Sequence, residues 1–500
     1  MHALLAFEAP HVDFHALAPE LVLLGVLSVV LLADLFGGER GRWASSSLAG
    51  VGLLAALVPV ITLAVDGGDR VLFGGAYAVD NFALVMKGLF LVAAYLIVLV
   101  STDYVGEGDY AESEYYFMLL ASVLGMSLMA SARDLISIFV ALETLSIPAY
   151  LLAGWRKRDL RGNEATLKYY LLGVFASAVM LYGMSLIFGM TGSTLLTDIA
   201  GVLADGEAIP VVSIGILFVV IGFAFKVSAV PFHTWAPDTY QGAPTPITAF
   251  LSVASKAAGF VALLSLVFIA FAGRDDVWQP LFWALAALTM TVGNLIALRQ
   301  TNVVRMLAYS SVAQAGYMLV PFAVAADIPF DRGGTGSAVS AVVTYMLIYT
   351  AMNIGAFAVI IAIARKTRSA EVSTFGGLWE YAPGLAAMMA IFLFALAGIP
   401  PLAGWYAKLV IFKVLLDALT PASVVLAVIV GVNSVIALYY YASIARQMFF
   451  SPVPDEDRTP VQVTPSLTAA IGLCAAGTIA LGIAPQAIAR FGDLAQFALG

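Results

Sequence analysis

The sequence predicts an all-α polytopic membrane protein with about 14 transmembrane helices of about 20 residues each. Three observations predict it. Of 500 residues, 61% are hydrophobic and only 11% are charged, where an ordinary soluble chain carries about 25% charged residues. Mean hydropathy is +0.96. Apolar stretches follow one another along nearly the whole chain, and no polar stretch is long enough for a separate soluble domain. A water-soluble enzyme is excluded, and so is a disordered chain, which needs low hydrophobicity and high charge.

A spanning helix needs about 20 apolar residues, because each adds about 1.5 Å across a hydrocarbon core of about 30 Å. The first candidate run, 17–36, follows a polar start with Asp13 and His15. That start is not basic, so a cleaved signal peptide is not expected. Runs 44–65 and 82–102 complete an N-terminal three-helix part, 1–114. Runs 115–132, 135–155, 165–190, 210–230 and 245–272 come next. Runs 278–298, 303–325, 338–364, 384–417 and 421–448 follow, and 464–486 is last. A buried soluble helix accounts for one such run but not for so many in succession. The whole chain, 1–500, is therefore one integral membrane domain.

Lys and Arg orient the bundle, because cytoplasmic loops carry the excess. With the N-terminus outside, the inner loops hold Arg40 and Arg42; Arg156, Lys157, Arg158 and Arg161; Arg299 and Arg305; Arg365, Lys366 and Arg368; and Arg446 and Arg458. The outer segments hold only Arg70, Arg133, Arg274, Arg332 and Arg490. Both termini are thus expected outside. The acidic loop 103–114 falls inside, but acidic residues contribute little to the rule.

Net charge is −8, which argues against a nucleic-acid partner. The single cysteine, Cys474, cannot build a disulfide framework, an iron–sulfur cluster or a CxxC pair. Three of the four histidines, His2, His11 and His15, precede the first run, so paired intramembrane haem ligands are not expected. No carboxylate cage for a metal is evident. The chain is expected to carry no electrons and no cofactor itself.

A charge at the bilayer centre costs about 2.5–3.5 kcal/mol on insertion scales. Glu143, Lys226, Lys256 and Lys408 lie well inside their runs. Burial disfavours an ammonium and a neighbouring carboxylate favours it, so such groups can be poised to take up and release protons. Glu143 is too short to reach water and needs an internal partner. Lys87, Lys168 and Lys413 lie nearer run ends or beside polar groups and are expected to snorkel.

Two helices should be broken. KVSAVPFHTWAPDTYQGAPTP (226–246) carries Pro231, Pro237, Pro244 and Pro246, and GIPPLAGWYAK (398–408) carries Pro400 and Pro401. Neither can be one regular helix. Irregular backbone at depth is tolerated only where it is buried in protein or lines a wet cavity. Paired interruptions point to an inverted-repeat transporter and its ion path. His233, beside the first break, titrates near neutrality and suits a relay. The Gly333–Gly336 stretch follows no strand and reads as a flexible connection, not a phosphate loop.

FKVSAVPFHTWAPDTYQGAPTPITAFLSVASKAAGF (225–260) resembles the most recognisable stretch of the antiporter-like membrane subunits of respiratory complex I. NVVRMLAYSSVAQAGYML (302–319), YTAMNIGAF (349–357) and LAGIPPLAGWYAKLVIF (396–412) match further signatures in the same order. Within that family the chain looks most like the N-type subunits, on LKYYLLGVFASAVMLYG (167–183) and PDTYQGAPTP (237–246). It ends soon after its last run, without the lateral helix of the L type. It has Lys408 where the M type usually has glutamate.

The resemblance implies two inverted five-helix repeats, 115–272 and 278–448, each with a broken helix, and a last helix at 464–486. It implies proton translocation through Glu143, Lys226, Lys256, His233 and Lys408, driven by electron transfer elsewhere. Glu143 would partner Lys226, Lys256 would sit on the central axis with His233 beside the route, and Lys408 would lead to the far side. Run 303–325 has no acid matching Glu143, so two identical half-channels are not expected. NADH, FMN, iron–sulfur clusters and quinone would belong to partner subunits. Those partners would include the M and L antiporter-like subunits and the small subunits K, J, A and H, in a bacterial inner membrane. The rival readings are a Na⁺/H⁺ antiporter subunit of the Mrp type and a mainly structural membrane scaffold.

Overall fold

In lipid every backbone N–H and C=O must be satisfied within the segment, so apolar runs of this length become helices. The computed structural model describes residues 12–107, 112–156, 159–205, 210–495 and 497; the side chains of 38–43, 161, 205 and 455 are likewise outside the description. His2, His11, Lys157 and Arg158, and the side chains of Arg40, Arg42 and Arg161, therefore fall outside it.

Among the described residues, twelve helices are long and apolar enough to cross a membrane, and two shorter apolar helices, Pro210–Lys226 and Pro383–Ala397, complete the set. These match the expected runs one for one. Spans 1 and 2 (Ala18–Gly37 and Ala44–Asp66) lie within a continuous stretch of helical hydrogen bonding, Ala18–Asp66. Gly52 nevertheless packs on Val26, so that stretch folds back on itself. Two short antiparallel strands, β1 (Arg70–Leu72) and β2 (Tyr77–Val79), connect to span 3 (Asn81–Gly106). The Asp80 side chain caps span 3 by accepting from the Ala83 N–H at 2.8 Å, a standard remedy for an orphan helix-start donor. Span 4 is Glu112–Ser131.

Span 5 (Leu135–Ala153) is capped by Asp134, which accepts from the N–H groups of Ile136 and Ser137. Span 6 is Leu160–Thr191, followed by a short helix, Leu196–Asp205. Span 8 (Thr245–Ala270) contains a π-helical turn at Leu251–Ser255, directly before Lys256. Such turns frequently mark functional sites. Spans 9 and 10 are Asp275–Ala297 and Val303–Leu319. Span 11 is Gly334–Thr367, span 13 Pro421–Phe450 and span 14 Pro465–Ile483.

Both breaks lie where proline predicted them. Helices of 17 and 15 residues reach only about 26 and 23 Å, short of a core of about 30 Å. Span 7 stops at Lys226 and resumes at Trp235–Gly242; span 12 stops at Ala397 and resumes at Gly404–Ala418. Each gap contains a cis peptide before proline, at Val230–Pro231 and Pro400–Pro401. Counting from span 4, spans 7 and 12 are each fourth in a group of five. Five is odd, so the two groups run in opposite directions.

One expectation is corrected. Gly333–Gly336 is not a flexible connection: Gly334 begins span 11, and Gly333 (φ +98°) turns the chain into it. Glycine supplies that left-handed turn without a Cβ clash.

Burial sorts the helices. The apolar windows of spans 8, 10 and 11 are 94, 94 and 89% buried, against 17% for span 1 and 28% for span 13. A central layer is thus enclosed by protein on all sides, and it is there that polar residues collect.

Candidate functional site

The expected lysines are buried in this layer or against it, on spans 7, 8 and 12: Lys226 is 4% exposed, Lys256 2% and Lys408 7%. None of the three has a carboxylate within 4.0 Å among the described residues. Each instead donates to neutral oxygen. Lys226 Nζ donates to Ser146 Oγ at 2.8 Å. Lys256 Nζ donates to Ser311 Oγ at 2.6 Å and to the Ser311 carbonyl at 2.9 Å. Lys408 Nζ donates to the Ala397 carbonyl at 2.6 Å and lies 5.1 Å from the centre of the Tyr317 ring.

Glu143 is half-buried on span 5, where its Oε1 accepts from Ser177 Oγ of span 6 at 2.6 Å. Ser146, three residues on, is a neighbour on the same helical face. Ser146 therefore holds Lys226 one helical turn from Glu143 along span 5, while Ser177 of span 6 holds Glu143. In place of the direct pairing expected from sequence, each of the two groups is bonded to a serine, Lys226 to Ser146 and Glu143 to Ser177.

Broken backbone positions two of the lysines. Lys226 is the last residue of the first half of span 7, and Gly259 of span 8 leaves room for its stem. Lys408, in the second half of span 12, reaches back to a carbonyl that the break has freed at Ala397. Gly398 (φ +91°) is required twice over. Its conformation is left-handed, and an added Cβ would lie 2.8 Å from Lys408 Cδ.

Between Lys256 and Lys408 runs a chain of neutral polar groups. Ser310 Oγ and the Tyr441 hydroxyl are 2.5 Å apart. Gln314 Nε2 donates to Tyr441 Oη at 3.3 Å and to the Leu396 carbonyl at 3.2 Å, and the Tyr345 hydroxyl donates to Gln314 Oε1. Leu396 adjoins Ala397, whose carbonyl holds Lys408. A cavity of about 10 Å³ beside Lys256, Ser252 and Tyr349 is roughly the space one water needs. His233 is half-buried in the first break, edge-on to Tyr309, and its Nδ1 is buried with no hydrogen-bond partner among the described residues.

Three features escaped sequence reading. The snorkelling expectation is corrected for Lys87. It is fully buried, 2.8 Å from Glu20 Oε1 and 2.9 Å from the Tyr77 hydroxyl, with Ser127 donating to the same carboxylate. Glu20 sits in the first turn of span 1, and no spacing in the sequence links it to span 3. Lys168 is partly exposed and ion-paired to Glu164 and Asp238, each at 2.8 Å; Asp238 also binds Arg305 at 2.8 Å. Lys413 is exposed, as snorkelling requires. The Ser310–Gln314–Tyr345–Tyr441 group had no signal, because neutral polar residues in apolar runs are common.

This arrangement can hold protons on three buried amines separated by hydroxyl, amide and carbonyl groups. Among the described residues no cluster of His, Cys, Asp and Glu is suited to a metal.

The family model for the transmembrane region of NADH:quinone oxidoreductase and Mrp antiporters matches residues 132–437. NADH-quinone oxidoreductase subunit N of Trichlorobacter lovleyi is 40% identical over 488 residues, 97% of this chain and 97% of that protein. A chain in respiratory complex I from Thermus thermophilus with bound aureothin is 32% identical, with TM-score 0.78 over 94% of this chain and 98% of that one. A chain of the Mrp complex from Dietzia sp. is 21% identical with TM-score 0.81 over 96% and 97%, a likeness of fold alone.

Proposed function

The chain belongs to the NADH:quinone oxidoreductase/Mrp antiporter transmembrane family, and on that premise we propose that it is the N-type, proton-translocating membrane-arm subunit of an NADH–quinone oxidoreductase. The observation that carries this reading is the row Lys226, Lys256 and Lys408, buried on spans 7, 8 and 12 and bonded to neutral oxygen. A fixed salt bridge would hold each proton in place; neutral partners leave it transferable. Near-full-length similarity to N-type relatives favours this reading over an Mrp-type antiporter, whose likeness is one of fold.

Glu143 stabilises the protonated form of Lys226. When a neighbouring subunit neutralises or draws away that carboxylate, Lys226 gives its proton through water, with His233 beside the route, to Lys256. The proton then passes along the Ser310–Gln314–Tyr441 chain to Lys408 and on to the outer side. A partner charge within about 4–6 Å changes proton affinity by about 1–3 units, roughly 1.4–4 kcal/mol, enough to set the order of these transfers. Electron transfer, with NADH, FMN, iron–sulfur clusters and quinone, belongs to partner subunits. The membrane-arm partners are the M, L, K, J, A and H subunits, in a bacterial plasma membrane with both termini outside.

The test uses the assembled complex in sealed vesicles. Glu143→Gln, Lys226→Ala and Lys256→Ala should each keep NADH oxidation better than they keep proton pumping. Full pumping in all three would overturn the reading; loss of assembly in the conservative Lys256→Arg would favour a scaffold.

A further inference from the structure

Lys408 faces a second polar chain that the route above does not use. The Tyr440 hydroxyl donates to Asn294 Oδ1 at 2.9 Å. Asn294 Nδ2 donates to Asn433 Oδ1 at 3.1 Å and to the Tyr317 hydroxyl at 3.4 Å. The Tyr317 ring is the one that lies 5.1 Å from Lys408 Nζ. Asn294, Tyr317, Asn433 and Tyr440 are at most 3% exposed. They come from spans 9, 10 and 13, so three helices commit buried polar groups to one line.

The two ends of that line give it a direction. Tyr440 is also a wall of a cavity of about 320 Å³, lined further by Gln300, Thr301, Glu371, Ser373 and Ser443. The cavity lies at loops 298–302 and 368–377, which carry Arg299 and Arg368 and belong to the end of the bundle that the basic residues assign to the inner side. Its volume is many times the roughly 30 Å³ of one water, and its lining mixes these polar groups with Ala297, Leu298, Met306, Val372 and Ile444. The other end stops at the face of Tyr317, against the lysine. A tie that only held three helices together would need neither a cavity large enough for water at one end nor a buried lysine at the other.

We propose that Tyr440, Asn294 and Tyr317 form a second proton-uptake branch, leading from the inner cavity to Lys408 without passing Lys226 or Lys256. The inference rests on the proton-translocating reading given above. In this branch water from the cavity hydrogen-bonds to Tyr440, and Asn294 and Asn433 order the water beyond it. The aromatic face of Tyr317 separates that water from Lys408. Rotation of the ring lets a proton pass from hydronium to a neutral Lys408 amine, with water as the product. These residues are positioning groups; the proton acceptor is Lys408.

The experiment compares the proton-to-electron ratio of the assembled complex in sealed vesicles for Tyr440→Phe, Asn294→Leu and Asn294→Asp, with Lys256→Ala as the reference. Tyr440→Phe removes one hydroxyl and keeps the ring, so helix packing is preserved. With the branch present, Tyr440→Phe and Asn294→Leu lower the ratio at unchanged NADH oxidation, and Asn294→Asp restores it. Combining Tyr440→Phe with Lys256→Ala then lowers the ratio below that of Lys256→Ala alone. A full ratio in both Tyr440→Phe and Asn294→Leu, with a lowered ratio in Lys256→Ala, would overturn the branch and leave the main reading standing. A full ratio in Lys256→Ala as well would overturn both.

Discussion

Single atoms decide whether a buried lysine is locked or transferable. Ser311 supplies two of the contacts of Lys256, its hydroxyl and its carbonyl. Ser311→Ala removes the hydroxyl acceptor, and a hydrogen bond to a charged group is worth about 1.5–3 kcal/mol. That variant should therefore lower the proton-to-electron ratio, while Ser311→Thr keeps it, as measured in sealed vesicles at matched NADH oxidation rates. Gly398→Ala should act on Lys408 in two ways. The left-handed backbone at φ +91° costs a residue with a Cβ about 1–2 kcal/mol, and the new methyl displaces the lysine stem. The expected result is a lower melting temperature of the complex together with reduced pumping. At this scale the sequence exposed Glu143, Lys226, Lys256 and Lys408, because a charge within an apolar run is costly wherever its helix packs. It did not expose their partners, since serine, glutamine and tyrosine are cheap in either setting. It also mistook Lys87, because snorkelling and full burial differ only in what packs around the stem.

Elements are held in register by polar contacts at their ends and by a few buried pairs. Asp80 and Asp134 cap spans 3 and 5, and the Arg133 guanidinium binds Asp80 at 2.7 Å, joining the two caps. Deeper in, Glu20 of span 1 and Lys87 of span 3 form a pair enclosed by protein. Removing one partner of such a pair typically costs about 3–5 kcal/mol, whereas replacing both with apolar residues is often neutral or better. Lys87→Met alone should thus shorten the thermal half-life of the assembled complex, and Glu20→Leu with Lys87→Met should restore most of it. Additive losses in the double variant would show that the pair is not coupled. The broken helices were legible as elements because proline lacks an N–H and cannot continue a helix ladder. The π turn before Lys256 was not, since LSVAS carries no residue that demands it.

Across the whole molecule, the proposed orientation puts the loop between spans 2 and 3 outside and the loop between spans 13 and 14 inside. Asp69 lies between spans 2 and 3 and Thr459 between spans 13 and 14, and both are exposed. In intact cells a membrane-impermeant thiol reagent should label Asp69→Cys and not Thr459→Cys; inverted vesicles should give the reverse. The native Cys474 is buried and should contribute no background. Labelling of both positions from one side would overturn the orientation.

The sequence by itself determined that the chain spans a membrane about 14 times, where two of the helices break, and which charged side chains must be enclosed. These follow from terms that act locally: transfer of apolar surface out of water, the backbone hydrogen bonds that lipid cannot supply, and the missing N–H of proline. Only the tertiary structure decided that Ser146 holds Lys226 while Ser177 holds Glu143, that Glu20 meets Lys87, and that Asn294, Tyr317 and Tyr440 line up toward Lys408. Those contacts join residues far apart in the chain, and helix packing alone brings them within hydrogen-bond reach.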